Sequence, residues 1–380
     1  RDAFDYMPGE LNALRPRLRF DEQGILTDIT FPGMPPAAPG TTPLSPPGSG
    51  SHYPGNSDME ARMADYAGLG IDQQIVLPQF TGWWSYLIEP KLACAIARSW
   101  NTAMLHLMEL HPRRIFGVAL VALQDVNQAI VELEWASERG FKAAVVDKVF
   151  PVREHSYGTP LGVHRELWPF FHRTEELGLP VYLHAVQHGH RMVNLMNYQM
   201  DGLDVFVPSE GEMTVASLIT SGLLDECPGL RFIVAEMGTA HITRLAQRLD
   251  TAFHKKAGTA YQDDEGPSAG SRRSAASGPP KLVSPEVARE KNTLPPSEYF
   301  RRNFYWTIET EEPELPETIR QFGAGRLLFA TDYPHDDPGG TMKFRDVELL
   351  DNNAGISEAD KELIRAGNAR ALFQLQPLRA

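Results

Sequence analysis

Cysteine is scarce in this sequence, and long apolar runs are missing from it. The 380 residues include only Cys94 and Cys227, each in an apolar-patterned segment, so we expect two buried free thiols rather than a disulfide. No uninterrupted apolar run approaches the roughly 18–20 residues that a membrane-spanning helix needs. No signal peptide is visible either, and we expect a cytoplasmic protein. Because the chain starts with Arg1 rather than Met, we also expect residues before it in the natural protein.

Clustered positive charge is missing as well. The formal net charge is -13, and the 36 Lys and Arg residues are scattered along the chain. Binding to nucleic acid needs a clustered cationic face, so nucleic acid is excluded as the main partner and a small-molecule substrate is expected. The composition that remains, 42% hydrophobic and 22% charged residues, is ordinary for a globular enzyme.

Buried strands alternate with amphipathic helices along most of the chain. The predicted strands are Ile71–Pro78, Ile115–Leu123, Phe141–Val149, Pro180–Val186, Leu230–Ala235, Asn303–Ile308 and Leu327–Ala330. The predicted helices are Ser57–Gly68, Lys91–His111, Val126–Glu138, His164–Leu177, Met213–Ser221, Ala240–His254, Pro316–Phe322 and Ser357–Leu375. Repeated strand–helix units give parallel strands with helices outside, and eight such units close a barrel. We therefore predict an α/β fold, a (β/α)₈ TIM barrel whose first strand is not evident in this sequence.

The alternative to the barrel is an open, doubly wound sheet. That fold commonly carries a glycine-rich turn of the dinucleotide-binding type after its first strand, and no such turn occurs here. Two regions interrupt the alternation. Residues 1–57 form an N-terminal segment with a Pro/Gly-rich arm, which would suit a subunit contact in a homodimer. Residues 58–380 form the predicted barrel domain, with a long polar insertion at about 255–296.

The most informative stretch surrounds Asp332. Leu327–Ala330 shows no polar alternation and predicts a fully buried strand, and Asp332 is the first charged residue after it. Pro334 cannot continue a central strand. A carboxylate at the carboxyl end of a buried strand lies where β/α proteins hold their catalytic groups. The alternative is an aspartate that only caps the next helix.

Other strand ends carry similar side chains. In a barrel these ends open on one mouth, where the sequence places Gln79, Gln124, Asp147, Lys148, His184, Glu236, Glu309 and Asp332. Imidazole and carboxylate groups are the ligands of a catalytic zinc or manganese ion. Alone, His184 is equally well a core histidine, and Glu236 a helix N-terminal acid favoured by the dipole. Together they are costly to bury without a cation, so we predict metal binding by His184, Asp332 and Glu236.

Short motifs along nearly the whole chain resemble one family. The most specific are Thr331-Asp332-Tyr333-Pro334-His335 and Gly367-Asn368-Ala369-Arg370, supported by Gly178–His184, Cys227–Arg231 and Glu236-Met237-Gly238. With them the sequence resembles the amidohydrolase-related group of the metal-dependent hydrolase superfamily, which includes aminocarboxymuconate semialdehyde and γ-resorcylate decarboxylases.

The resemblance implies a divalent metal at the barrel mouth. Its ligands in the family are a histidine or glutamate pair from the first strand, a histidine from the fifth and an aspartate from the eighth. His184 matches the fifth-strand ligand and Asp332 the eighth-strand ligand, whereas the first-strand pair has no match here. The decarboxylase branch also places a catalytic histidine at the end of the sixth strand. This sequence has Glu236 there, with His241 a turn later.

We expect a metal-dependent hydrolase that acts on a small, aromatic or ring-derived carboxylate or amide through a metal-activated water. Asp332 is the predicted general base, His335 its orienting partner, and Glu236 a ligand or a second acid–base group. Residues predicted to contact the substrate are Arg302, Lys148, His188 and Trp306. The alternative is surface solvation for Arg302 and Lys148 and core packing for Trp306.

Two alternatives remain at this stage. A non-oxidative decarboxylase would need an acid that protonates a ring carbon, supplied by His241 or His188. A metal-free barrel would serve as a binding protein. Zinc is the expected cofactor and manganese the alternative.

Overall fold

The structure, a computed structural model, describes residues 3–20, 22, 26–30, 54–56, 58–78, 89–147, 149–150, 159–184, 203–258, 292–334 and 345–378. Within these ranges no helix is both long and apolar enough to cross a membrane. Cys94 and Cys227 are both free thiols; Cys227 is buried, whereas Cys94 is only half-buried.

Eleven strands are found in the described residues. They are β1 (Arg17–Phe20), β2 (Leu26–Thr30), β3 (Gln74–Val76), β4 (Ile115–Leu120), β5 (Ala143–Val146), β6 (Val149–Phe150), β7 (Thr159–Pro160), β8 (Val181–His184), β9 (Phe232–Ala235), β10 (Phe304–Thr307) and β11 (Leu327–Leu328). Two antiparallel pairs, β1 with β2 and β6 with β7, lie outside the main sheet.

The helices mostly follow the sheet strands. They are α1 (Met59–Gly68), α2 (Pro90–Leu110), α3 (Val126–Glu138), α4 (Trp168–Leu177), α5 (Leu203–Thr220), α6 (Leu223–Glu226), α7 (Ala240–Gly258), α8 (Pro296–Asn303), α9 (Leu315–Phe322), α10 (Asp346–Asn352), α11 (Glu358–Glu362) and α12 (Asn368–Phe373). A π-helical turn, Leu363–Gly367, joins the last two. Asp125 is the N-cap of α3, because its carboxylate accepts a hydrogen bond from the amide of Gln128 at 3.0 Å.

One parallel sheet of seven strands forms the body of the protein. Its order is β11-β10-β9-β8-β5-β4-β3, so each sheet strand lies beside the sheet strand that precedes it in sequence. All six pairings are parallel. All seven predicted strands are confirmed, although each is shorter than its apolar run, and the α/β barrel prediction is confirmed with them. Among the described residues no strand pairs with the outer edges of β3 and β11.

The two faces of the sheet pack differently, because successive side chains of a strand point to opposite faces. Residues such as Phe232, Phe304 and Trp306 belong to a large apolar core on the face that the helices cover; we call this the outer face. Tyr305, which lies between Phe304 and Trp306 in β10, belongs to a smaller cluster on the opposite, inner face. Tyr182 of β8 belongs to the same cluster. His184 and Thr307 share the parity of these tyrosines, so they lie on the inner face.

Several helices differ from the prediction. The predicted helix Met213–Ser221 begins ten residues earlier, at Leu203, and the predicted Ser357–Leu375 helix is interrupted by the π-helical turn. Helices α8 and α10 were not predicted, because at eight and seven residues they are too short to give a strong periodic signal. Most of the predicted insertion at 255–296 lies outside the described residues.

The Gly367–Arg370 motif has a structural role that explains its residue types. Asn368 is buried, and its side-chain amide donates hydrogen bonds to the backbone oxygens of Ala324 at 2.8 Å and Leu327 at 2.7 Å. Just after the carboxyl end of β11, the amide of Phe329 donates to the carbonyl of Ile364 in the π-helical turn at 3.1 Å. The C-terminal helices thus fix the edge strand that leads to Asp332.

Candidate active site

An imidazole and a carboxylate meet at the ends of two adjacent strands. In the register of β8 and β9, His184 pairs with Ala235, so Glu236 follows directly beyond it. The Nε2 atom of His184 lies 2.9 Å from Oε1 of Glu236. The side chains are 12% and 27% exposed, so the pair is largely screened from water but still reachable. The structure therefore brings together two of the three predicted metal ligands.

The backbone of both predicted acidic ligands adopts the left-handed conformation. Glu236 has a φ of 57° and Asp332 a φ of 48°. For a residue with a Cβ this region costs on the order of 1–3 kcal/mol, and such residues concentrate at functional sites. The amide of Glu236 donates to Oγ1 of Thr307, at the end of β10, at 3.0 Å. Neighbouring strands thus support the unusual conformation of Glu236.

A second tie joins the loops after β9 and β10. The carboxylate of Glu312 accepts hydrogen bonds from the amide of Thr239 at 3.0 and 2.8 Å and from its hydroxyl at 2.6 Å. It also accepts from the amide of Glu309 at 3.3 Å. Gly238 approaches so closely that a Cβ there would lie 2.9 Å from Oε1 of Glu312.

Asp332 lies in a segment that helix α1 holds in place. The hydroxyl of Tyr66 is 3.3 Å from Oγ1 of Thr331, and the hydroxyl of Tyr333 donates to Oδ2 of Asp65 at 2.6 Å. The guanidinium of Arg62 lies 4.5 Å from the ring centre of Tyr333. Asp332 itself is exposed, and this agrees with a carboxylate that faces the open mouth.

A cavity of about 730 Å³ connects these groups. It extends from the strand ends down along the two edge strands, and its lining includes His184, Glu236, Thr307, Glu309 and Asp332. Burial and the facing carboxylates of Glu236 and Asp332 raise the pKa of Glu309 to about 8. A positive charge, either a proton or a cation, is therefore favoured among these acids at neutral pH. The sequence had placed Glu309 at the mouth as one of several strand-end carboxylates, but without a role.

The donor types of this cluster fit a divalent metal ion, because imidazole and carboxylate oxygens are the ligands that zinc and manganese take. The geometry is incomplete. In the part of the chain that the structure describes, no group of three or more His, Cys, Asp or Glu side chains is arranged to hold a metal. Of the three predicted ligands, His184 and Glu236 are in contact, and Asp332 lines the same cavity.

The structure does not bring Arg302 or Trp306 to the mouth. Arg302 precedes β10, so it lies at the amino end of the sheet, where its guanidinium donates to the backbone oxygen of Leu224. Trp306 is on the outer face, 1% exposed, and stacks on Phe300 at 5.6 Å between ring centres. Neither residue therefore belongs to the candidate active site, because each makes its contacts on another part of the sheet.

His241 is also displaced from the mouth. It lies in the first turn of α7, is 8% exposed, and does not line the cavity. Burial lowers its pKa, so it is a neutral core histidine at physiological pH. Three predicted site residues, Lys148, His188 and His335, lie outside the described residues.

Comparisons with known proteins agree with the fold. The family model described as Amidohydrolase matches residues 51–375. The γ-resorcylate decarboxylase of Rhodococcus jostii is 28% identical over 295 residues, which cover 76% of this chain and 79% of the relative. A solved dihydroxybenzoic acid decarboxylase from Polaromonas sp., with bound manganese and the inhibitor 2-nitroresorcinol, has a TM-score of 0.64 at 24% identity over 85% of this chain and 87% of its own. An amidohydrolase structure from Mycobacterium avium subsp. paratuberculosis has a TM-score of 0.72 at 20% identity over 99% of this chain and 95% of its own.

Proposed function

The chain belongs to the amidohydrolase family of enzymes, and on this premise we propose that it is a metal-dependent decarboxylase of small aromatic acids. The observation that carries the proposal is the hydrogen-bonded pair of His184 and Glu236, whose side chains line the same cavity as Asp332 and Glu309. The curated relatives support decarboxylation over the hydrolysis that the sequence favoured, since those that match are named as γ-resorcylate decarboxylases.

His184, Asp332 and Glu236 are the residues that would hold a divalent ion. Manganese is bound in solved relatives, and this supports manganese over the zinc expected from the sequence. When bound, the ion would supply positive charge for the carboxylate and a neighbouring hydroxyl of the substrate. Because the backbone of Glu236 and Asp332 is left-handed, their carboxylates point in directions that side chains at an extended strand end do not reach.

The reaction itself needs one proton. The bond between the ring carbon and the carboxylate breaks, its electron pair stays on the ring carbon, and a proton forms the new C–H bond as carbon dioxide leaves. His241 is buried away from the cavity, so it is not the donor in this proposal. Glu309 lines the cavity, and its burial, the first cause of its raised pKa, favours the protonated form. We assign the proton delivered to the ring carbon to Glu309.

One observation favours hydrolysis as a second candidate. The end of the sixth barrel strand carries Glu236 rather than the catalytic histidine of the decarboxylase branch. A carboxylate there is suited to accept a proton from an attacking water during hydrolysis of an ester, lactone or amide.

Incubating the full chain with MnCl₂ or ZnCl₂ and aromatic acids such as 2,6-dihydroxybenzoate and 5-carboxyvanillate separates the two candidates. Release of carbon dioxide and of the matching phenol, lost in Asp332→Asn and Glu309→Gln, is the expected result. Hydrolysis of aryl esters or lactones with no carbon dioxide from any aromatic acid would establish the second candidate and overturn the first.

A further inference from the structure

Glu312 makes more hydrogen bonds than its place in a polar loop requires. Its two oxygens accept from the amide and hydroxyl of Thr239 and from the amide of Glu309, at 2.6 to 3.3 Å. Thr239 is fully buried, and it is 73 residues away in sequence. A carboxylate that accepts several hydrogen bonds from two segments is held in one orientation.

The two loops that Glu312 joins are the loops that carry the proposed chemistry. Glu236 precedes Thr239 on one loop, and Glu309 precedes Glu312 on the other. Gly238, with a φ of 63°, leaves no room for a side chain between its loop and the Glu312 carboxylate. The backbone of Glu236 is also tied to β10 by its hydrogen bond to Thr307. Together with the pairing of β9 and β10, these hydrogen bonds link the segments that carry Glu236 and Glu309.

The charge of Glu312 argues that the contact serves the site. A carboxylate close to Glu309 and adjacent to Glu311 is electrostatically unfavourable. A neutral cap such as serine or asparagine would satisfy the start of α7 without that cost. The carboxylate offers two oxygens that accept at once from both loops, which a hydroxyl does not. Fixing both loops is thus the property that distinguishes Glu312 from an ordinary helix cap.

We propose that Glu312 is a positioning residue that sets the separation of Glu236 and Glu309 at the ends of β9 and β10. Divalent-metal affinity and turnover then depend on the hydrogen bonds between Glu312 and Thr239. The inference rests on the proposed function, since it concerns the proposed metal site and the proposed reaction. Residues that orient metal ligands without touching the metal typically change affinity by about 10–100-fold when they are replaced.

The test compares Glu312→Ala, Glu312→Gln and Thr239→Val with a matched control in the full chain. Glu311→Ala is the control, because Glu311 is the adjacent exposed carboxylate and its one hydrogen bond, to Thr310, is 3.4 Å long. Titration calorimetry with MnCl₂ and thermal unfolding are measured for each variant. We expect Mn²⁺ binding about 10-fold weaker or more in Glu312→Ala, a smaller loss in Glu312→Gln, which keeps one accepting oxygen, and no change in Glu311→Ala.

The remaining outcomes either support or overturn the positioning role of Glu312. Glu312→Ala that unfolds cooperatively and binds Mn²⁺ within twofold of wild type overturns the inference. If Glu312→Ala does not fold, Thr239→Val decides: weaker Mn²⁺ binding in a folded protein supports the inference, and unchanged binding overturns it. Wild-type protein that binds no Mn²⁺ overturns the inference and the metal site together. Wild-type protein that binds Mn²⁺ but releases no carbon dioxide overturns only the proposed reaction.

Discussion

Replacing Asn368 by alanine is expected to lower the free energy of unfolding by about 2–4 kcal/mol. The side chain is 6% exposed and donates to two backbone oxygens, those of Ala324 and Leu327. The oxygen of Ala324 also accepts from the amide of Leu327 at 3.1 Å, so it loses one of two donors, at a cost of about 1 kcal/mol. The oxygen of Leu327 lies on the edge strand β11 and is left unsatisfied, at a cost of roughly 1–3 kcal/mol.

Urea unfolding followed by circular dichroism measures this difference, with two substitutions that test its cause. Asn368→Asp keeps the shape of the side chain but replaces the donor by an acceptor that faces two carbonyls, so it is expected to destabilise at least as much as alanine. Asn352→Ala, on the exposed end of α10, is expected to stay within about 0.5 kcal/mol of wild type. Losses below about 0.5 kcal/mol in both Asn368 variants would refute the hydrogen-bond argument.

Three further predictions concern the site and its surroundings. Asp332→Asn should reduce turnover by about 10²–10⁴ while the circular dichroism spectrum stays unchanged; activity within about tenfold of wild type would exclude Asp332 as a ligand or acid–base group. The pKa of Glu309 is raised from 4.5 to about 8 in the folded chain, so Glu309 contributes stability that is complete below about pH 4.5 and lost as the pH rises through about 8. In the presence of a chelator, the unfolding temperature should therefore fall between pH 5 and 8, and Glu309→Gln should flatten that slope; an equal slope in both proteins would contradict the assignment. Trp306→Ala should lower the free energy of unfolding by about 3–5 kcal/mol, because the ring is buried. Trp306→Phe should leave the KM for the aromatic acid unchanged, and a large rise in KM would show that Trp306 contacts the substrate.

The strands and their order were predictable because their signal is local. Each apolar run, such as Leu230–Ala235, ends at a polar residue, and parallel strand ends must meet at one side of the sheet. This reasoning placed His184 and Glu236 together, and the structure has them 2.9 Å apart. The same reasoning excludes Arg302 from the mouth, since a residue before a strand lies at the opposite end from a residue after it.

Other features depend on information that one segment does not carry. Whether Trp306 faces the cavity or the helices depends on a shift of one residue, and the apolar run Asn303–Ile308 has no polar alternation to fix it. The partners of Glu312 were not predictable, because Thr239 is 73 residues away and neither residue belongs to a recognisable motif. The left-handed backbone at Glu236 and Asp332 had no signal either, since glycine and asparagine are the residues that usually indicate it.

The contacts between helix α1 and the segment around Asp332 have a consequence for how the protein folds. The hydrogen bonds of Tyr66 with Thr331 and of Asp65 with Tyr333 join residues that are 265 and 268 positions apart. Closing a loop of this length costs conformational entropy before any contact offsets it, and such non-local contacts form slowly. A growing polypeptide cannot make them until the segment around Tyr333 has left the ribosome. We therefore expect Asp332 to reach its place at the mouth after the local strand–helix units have formed.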